Sequence, residues 1–267
     1  MSQTTTQTRE PIRVTTEGDG VTIVTIDRPE KRNAVSLAMW RRLGDVFTEL
    51  ADDESVRVVV LTGAGGHFSA GADISEFAEV RNTAEAGRIY EEAGLHAALA
   101  IRDFPKPTIA AAHGVTVGGG CGLALACDLR VGDATTRMGI PAARLGIVYG
   151  TLDCSLLERQ VGLATAKLVL CSGRIFPAPD CVRMRLIDIA ADGPALETAL
   201  ALAREFAGNA PLSLQGAKLV LEAVARGEAE ARADEIEEVL DRAIASADYR
   251  EGARAFMEKR KPRFTGR

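Results

Sequence analysis

The chain has no excess of basic residues: 32 Lys and Arg stand against 37 Asp and Glu, a net charge of −5, which argues against bulk nucleic-acid binding. Histidine is rare. Only His67, His96 and His113 occur, well apart, and the five cysteines (Cys121, Cys127, Cys154, Cys171 and Cys181) are an odd number without CxxC or Cys/His spacing. Neither set has the spacing of metal ligands, so no metal site is expected and the thiols read as free and mostly buried. MSQTTTQTREP carries no apolar leader, which implies a cytoplasmic protein whose residues 1–11 form a flexible tail. The uncharged stretch 107–127 imitates a membrane span, but His113 and glycines at 114, 118, 119, 120 and 122 interrupt it. A buried strand plus helix explains it better. Solenoid periods, low-complexity segments and long Pro/Ser linkers are also missing.

What remains is ordinary globular composition, 46% hydrophobic and 26% charged over 267 residues, enough for one large core with a helical appendage. Residues 12–17 and 21–27 alternate in polarity around Gly18, Asp19 and Gly20, the pattern of a hairpin. Ser36 then caps a helical period that runs to Ala51, and 56–61 reads as a buried strand. A glycine-rich loop, GAGGHFSAGAD, fills 63–73; a helix over 83–102 and a strand over 108–112 follow. The second cluster, GGGCGLALACD, starts a helix near Gly119 and leads to an apolar stretch at 129–131. From 195 the chain turns Ala-, Leu-, Glu- and Arg-rich, with helices expected over 195–209, 211–226, 229–245 and 248–259. The fold class is therefore α/β, with a core over 12–194 and a helical region over 195–267. The last eighteen residues hold seven basic and two acidic side chains, a local +5.

Each glycine loop follows an apolar strand and precedes a helix, where exposed backbone N–H groups can bind negative charge. If the loops converge, one N–H from Ser69–Ala72 and one from Gly118–Gly120 can grip a single oxygen that gains charge during a reaction. Neither loop has the GxGxxG or GK(S/T) form of a nucleotide site.

Four segments, RPEKRNAVS at 28–36, HFSAGADISEF at 67–77, KPTIAAAHGVTVGGGCGLALACDLR at 106–130 and EGARAFMEKRKPRF at 251–264, resemble the crotonase (enoyl-CoA hydratase/isomerase) superfamily. The resemblance implies a spiral of β-β-α repeats followed by trimerising helices, an acyl-CoA thioester as substrate, a homotrimer or hexamer, and no cofactor beyond the coenzyme A of the substrate. It places the oxyanion-binding amides on Ala72 and Gly119. It puts Ala70, Asp73 and Ile74 in an adenine-pocket strip, Gly118, Gly122 and Ala142 among substrate contacts, and Lys31, Arg32, Lys259 and Arg260 near the CoA phosphates. Hydratases of this family carry glutamates where this chain has Gly122 and Ala142, so two-glutamate hydration is not expected; neither residue can move a proton. Tyr149, in an LGxxYG pattern similar to decarboxylase-like branches, is the preferred chemical residue, and Asp153 is the alternative acid. Decarboxylation or thioester hydrolysis with Tyr149, and a non-catalytic acyl-CoA-binding protein, remain competing readings.

Overall fold

In the computed structural model, which describes residues 10–267, the polarity alternation of the first segments closes an antiparallel hairpin, β1 (Ile12–Thr16) on β2 (Val21–Ile26). Nine residues of the expected flexible tail, 1–9, lie outside the described residues. Helix α1 (Leu37–Asp52) starts where Ser36 accepts a hydrogen bond from Met39 N, a serine N-cap. β3 (Val58–Gly63), the short α2 (Phe77–Val80) and α3 (Ala84–Arg102) follow. Next come β4 (Thr108–Ala112), β5 (Val115–Val117) and α4 (Gly119–Ala126), then β6 (Leu129–Gly132) and β7 (Arg137–Gly139). The order closes with α5 (Thr151–Val161), α6 (Leu163–Ser172), β8 (Ile175–Pro177), α7 (Ala178–Arg183) and β9 (Ile189–Ala190). Helices α8 (Ala195–Ala207), α9 (Pro211–Arg226), α10 (Ala233–Ala245) and α11 (Ala247–Met257) form the C-terminal third.

Two sheets result, a six-stranded one in the order β1-β2-β3-β4-β6-β9 and a three-stranded one in the order β5-β7-β8. From β2 onward the large sheet is parallel. Two successive turns of the spiral give one strand to each sheet: β4 then β5, β6 then β7. Gly114 makes the first switch. Its φ is +50°, and a Cβ there would meet Gly66 O at 2.0 Å, so only glycine fits. The second sheet is what the sequence reading lacked, since its strands are three residues long and carry no readable period.

The two faces of the large sheet bury different partners. Val59, Leu61 and Ala110 pack with α1, α3 and α4, whereas Val58, Val60, Ile109 and Val131 meet α8. α8 presents Ala195, Ala199, Ala203 and Ala207, all at most 1% exposed, and a larger side chain in that stripe would overpack the contact by about 1–3 kcal/mol. The helical third therefore begins inside the core rather than beside it. Arg57 ties its far end back, donating to Ala207 O at 2.8 Å and Phe264 O at 2.7 Å.

Candidate active site

The first glycine loop is fastened residue by residue. Ser69 N donates to Val115 O (3.0 Å), Ala70 N to Arg32 O (2.9 Å), Gly71 N to Ser69 Oγ (3.1 Å) and Asp73 N to Val35 O (2.9 Å). Ala72 is the exception. Val35 bridges it in parallel, bonding Gly71 O on one side and Asp73 N on the other, so the Ala72 N–H faces the opposite edge of the segment. Among the described residues it has no acceptor. In the second loop Gly118 N donates to Gly139 O at 2.9 Å, while Gly119 opens α4, where first-turn N–H groups have no intrahelical acceptor. The two free amides are neighbours: a Cβ built on Gly119 lies 3.7 Å from Ala72 N, and one built on Gly71 lies 2.8 Å from Gly119 N.

Both amides open onto a cavity of about 850 Å³. Of the residues selected from sequence, Ala70, Ala72, Ile74, Gly118, Gly119, Gly122, Ala142 and Tyr149 line it, as does Asp153. α3 supplies a wall that includes Gly87, Glu91, Gly94 and Ala98, and Trp40, Phe77 and Tyr90 add aromatic surface. Nothing in the sequence pattern singled out these wall residues, because a helix facing a cavity carries the same period as one facing a core.

Asp153 sits in the first turn of α5, which Gly150 precedes without a side-chain cap. Its Oδ1 comes within 3.3 Å of the Cβ position of Gly122. The carboxyl therefore occupies the direction a side chain at 122 would take. Burial, and then the negative charge of Glu91, push it up to about 6. Among the described residues neither oxygen accepts a hydrogen bond, so no partner fixes its protonation state. Tyr149 is half-buried, with its hydroxyl 3.8 Å from the Cβ position of Gly118. Burial first, then Cys121 and Asp153, raise the phenol well above its usual range, and it stays a neutral hydrogen-bond donor.

The remaining selected residues are placed differently. Asp73 does not line the cavity. Its carboxylate is buried and accepts from Arg28 Nη1 (2.7 Å), Lys31 Nζ (3.0 Å) and Ser75 N (3.1 Å). Burial alone would raise this carboxyl, but Ser75, Lys31 and Arg28 outweigh it and hold it far below the usual range. It anchors the Ala72 segment to residues 28–31, and Lys31 is paired to it and to Ser75 Oγ (2.9 Å). Asp73→Ala should destabilise the fold by about 2 kcal/mol, since it removes charge-assisted hydrogen bonds from Arg28 and Lys31 to a buried carboxylate. Because the folded-state carboxyl is depressed, the wild-type share of this stability is present above pH 4 and lost below it; urea titrations of both proteins at pH 7 and pH 3 read the difference. Arg32 is exposed, with a left-handed φ of 51°. Lys259 and Arg260 lie away from the cavity, and Arg260 is held by Glu251 (2.6 and 3.0 Å) and Glu258 (2.6 Å).

The three histidines have partners within the chain. His67 Nδ1 accepts from Val115 N at 3.1 Å, and burial, then Arg32, lower its pKa. His113 has ring nitrogens against Ala111 O and Gly65 O, and His96 faces Asp45. Asn33, which the sequence reading passed over, is the hidden organiser. Fully buried, it donates to Ala64 O (2.9 Å) and His67 O (2.6 Å) and accepts from Arg28 N (2.9 Å), closing the first loop. Among the described residues no helix is long and apolar enough to cross a membrane, and no His/Cys/Asp/Glu cluster has metal-binding geometry.

The model of the enoyl-CoA hydratase/isomerase family matches residues 16–267. A putative enoyl-CoA hydratase of Thermus thermophilus is 40% identical, over 94% of this chain and 100% of its own. The 2,3-dehydroadipyl-CoA hydratase of Escherichia coli is 36% identical, over 92% and 96%. Among solved structures, an enoyl-CoA hydratase/isomerase family protein from Hyphomonas neptunium superposes with a TM-score of 0.91 at 34% identity, covering 96% of this chain and 98% of that one. With the match spanning both glycine loops and the C-terminal helices, the chain belongs to the enoyl-CoA hydratase/isomerase family of the crotonase superfamily.

Proposed function

We propose that this enzyme forms and quenches the enolate of an acyl-CoA thioester, with the Ala72 and Gly119 amides on the carbonyl oxygen and Asp153 as the proton carrier. One observation carries the reading: the Asp153 carboxyl, 3.3 Å from the Cβ position of Gly122, faces the cavity onto which both amides open. As an α-proton leaves, charge moves to the carbonyl oxygen, and two amides already in place stabilise it without reorganisation. The Asp153 carboxylate takes the C2 proton of a 3-enoyl thioester, the electron pair spreads into a dienolate, and the same carboxyl returns the proton to C4. The product is the 2-enoyl thioester, and no further reactant is needed. Tyr149, neutral, donates a hydrogen bond at the same end of the site.

Hydration by the family's standard route uses carboxylates at the positions of Gly122 and Ala142, and this chain has neither. Water addition through Asp153 alone is the second reading, favoured by relatives that are named hydratases. The exposed apolar side chains Leu240, Ile244, Phe256 and Met257 support contact between copies of the chain, and a trimer or hexamer would bring a neighbour's Lys259 and Arg260 toward the coenzyme.

Incubation with 3-enoyl-, crotonyl-, methylmalonyl- and aromatic acyl-CoA esters, read by mass spectrometry and by the ultraviolet absorbance of a conjugated enoyl thioester, separates the readings. Isomerisation conserves mass while creating a conjugated thioester; hydration adds one water; decarboxylation or hydrolysis by Tyr149 releases carbon dioxide or free CoA. No product from any ester would leave an acyl-CoA-binding protein. For isomerisation, kcat/KM should rise with pH through about 6, the pKa of Asp153, and then level off, because only the carboxylate accepts the proton.

A further inference from the structure

Trp40 is the one tryptophan of the chain, and α1 sets its ring against the second glycine loop. Its Cη2 and Cζ2 lie 2.9 Å from the Cβ position of Gly119. The indole N–H donates to the Tyr90 hydroxyl on α3 at 3.0 Å, and that hydroxyl donates to Val35 O at 3.5 Å. Val35 is the residue that bonds the backbone on both sides of Ala72. The two aromatics are nearly sealed, at 6% and 4% exposure, yet both border the cavity. One buried hydrogen-bonded pair therefore reaches both segments that present a free amide, Trp40 by ring contact with Gly119 and Tyr90 through Val35.

We propose that Trp40 and Tyr90 are positioning residues that set the separation of the Gly119 and Ala72 amides and couple it to the α3 wall of the acyl cavity. The inference rests on the two-amide reading above. A backbone amide at a loop end has no side chain of its own to fix it, so its position depends on what packs behind it. The Trp40 ring blocks the first turn of α4 from moving toward α1, and the hydrogen bond to Tyr90 stops the ring from rotating away. A shift of about 1 Å between catalytic groups is enough to lower a rate on the order of 10²-fold.

The test compares Tyr90→Phe with the double variant Trp40→Phe/Tyr90→Phe. Tyr90→Phe keeps its ring but strands the indole N–H, whereas the double variant leaves no buried polar group unpaired but opens space beside Gly119 where Trp40 Cζ2 and Cη2 lay, so melting temperature is followed alongside rate in both. If the pair positions the amides, kcat falls on the order of 10²-fold in both variants while KM stays within about twofold. Recovery of kcat together with melting temperature in the double variant would show a role in the fold alone and overturn the proposal. Trp40 also reports directly: titration of the wild type with butyryl-CoA should change its emission, and free CoA, which lacks the carbonyl, should not. Turnover without that emission change also overturns the proposal. A wild type that neither turns over any ester nor responds to butyryl-CoA removes the two-amide reading itself. Wild-type kcat in Tyr90→Phe, beside an active and responsive wild type, removes only the positioning role.

Discussion

Asp153→Asn should give a protein that is nearly inactive and more stable than the wild type at neutral pH. The loss follows from removing the carboxyl that lies 3.3 Å from the Gly122 Cβ position in the cavity both amides line; an amide can neither take nor return a proton, and such a loss typically costs 10²–10⁴-fold in kcat. The gain follows from the same desolvation that suits the residue to its task. Burial, then Glu91, push the Asp153 carboxyl from its ordinary 3.8 up to about 6, so the folded state holds that proton more tightly than the unfolded chain does. Stability from this group is complete below pH 4 and is lost as pH rises through 6. Above that, the buried carboxylate weighs on the fold by on the order of 2–3 kcal/mol, and the neutral isostere relieves it. Melting curves at pH 4.5 and 7.5 read the sign. The variant should match the wild type at the lower pH and exceed it by several degrees at the higher one. Equal melting at both, or retained turnover, would remove Asp153 from the chemistry.

Where local chemistry marks both ends of an element, its bounds were legible in the sequence. α9 starts at Pro211 and ends before Gly227, whose φ is +69°, because proline at the first position and glycine past the last are local signals. The approach of the two glycine loops was legible for a related reason: glycines cluster where backbone must approach backbone, and the Cβ position of Gly71 lies 2.8 Å from Gly119 N. α10 begins at Ala233 rather than 229, as helix starts without a capping side chain carry no mark. The three-residue strands of the second sheet exist only through their partners. The resemblance puts Lys31 near the CoA phosphates, and its pairing with Asp73, forty-two positions away, is a contact no local window contains. That the Asp153 carboxyl fills the direction of a side chain at 122 was not legible either, because only the folded chain brings α5 within 3.3 Å of the Gly122 Cβ position.

Gly71→Ala should abolish most turnover while leaving affinity for free CoA within about twofold, if two amides on one oxygen supply the largest share of barrier lowering. Proline at 119 is the more obvious deletion, since it removes an N–H at a helix position that accepts proline. The fold makes that variant ambiguous: a Cβ at 119 meets the Trp40 ring at 2.9 Å, so packing and hydrogen bonding would fail together. At 71 the intrusion is aimed at the amide. An alanine methyl would lie 2.8 Å from Gly119 N and 2.6 Å from Val117 O, displacing the second donor and closing the space in which an oxygen would sit. The φ of +87° adds about 1–3 kcal/mol of backbone strain, so melting temperature must be followed alongside rate. Removal of one such donor in an acyl-transfer site costs about 10²–10³ in kcat. Free CoA has no thioester carbonyl, and its binding is the control that separates a displaced amide from a collapsed site. A Gly71→Ala enzyme that folds, binds CoA and keeps wild-type kcat would mean that the thioester oxygen sits elsewhere.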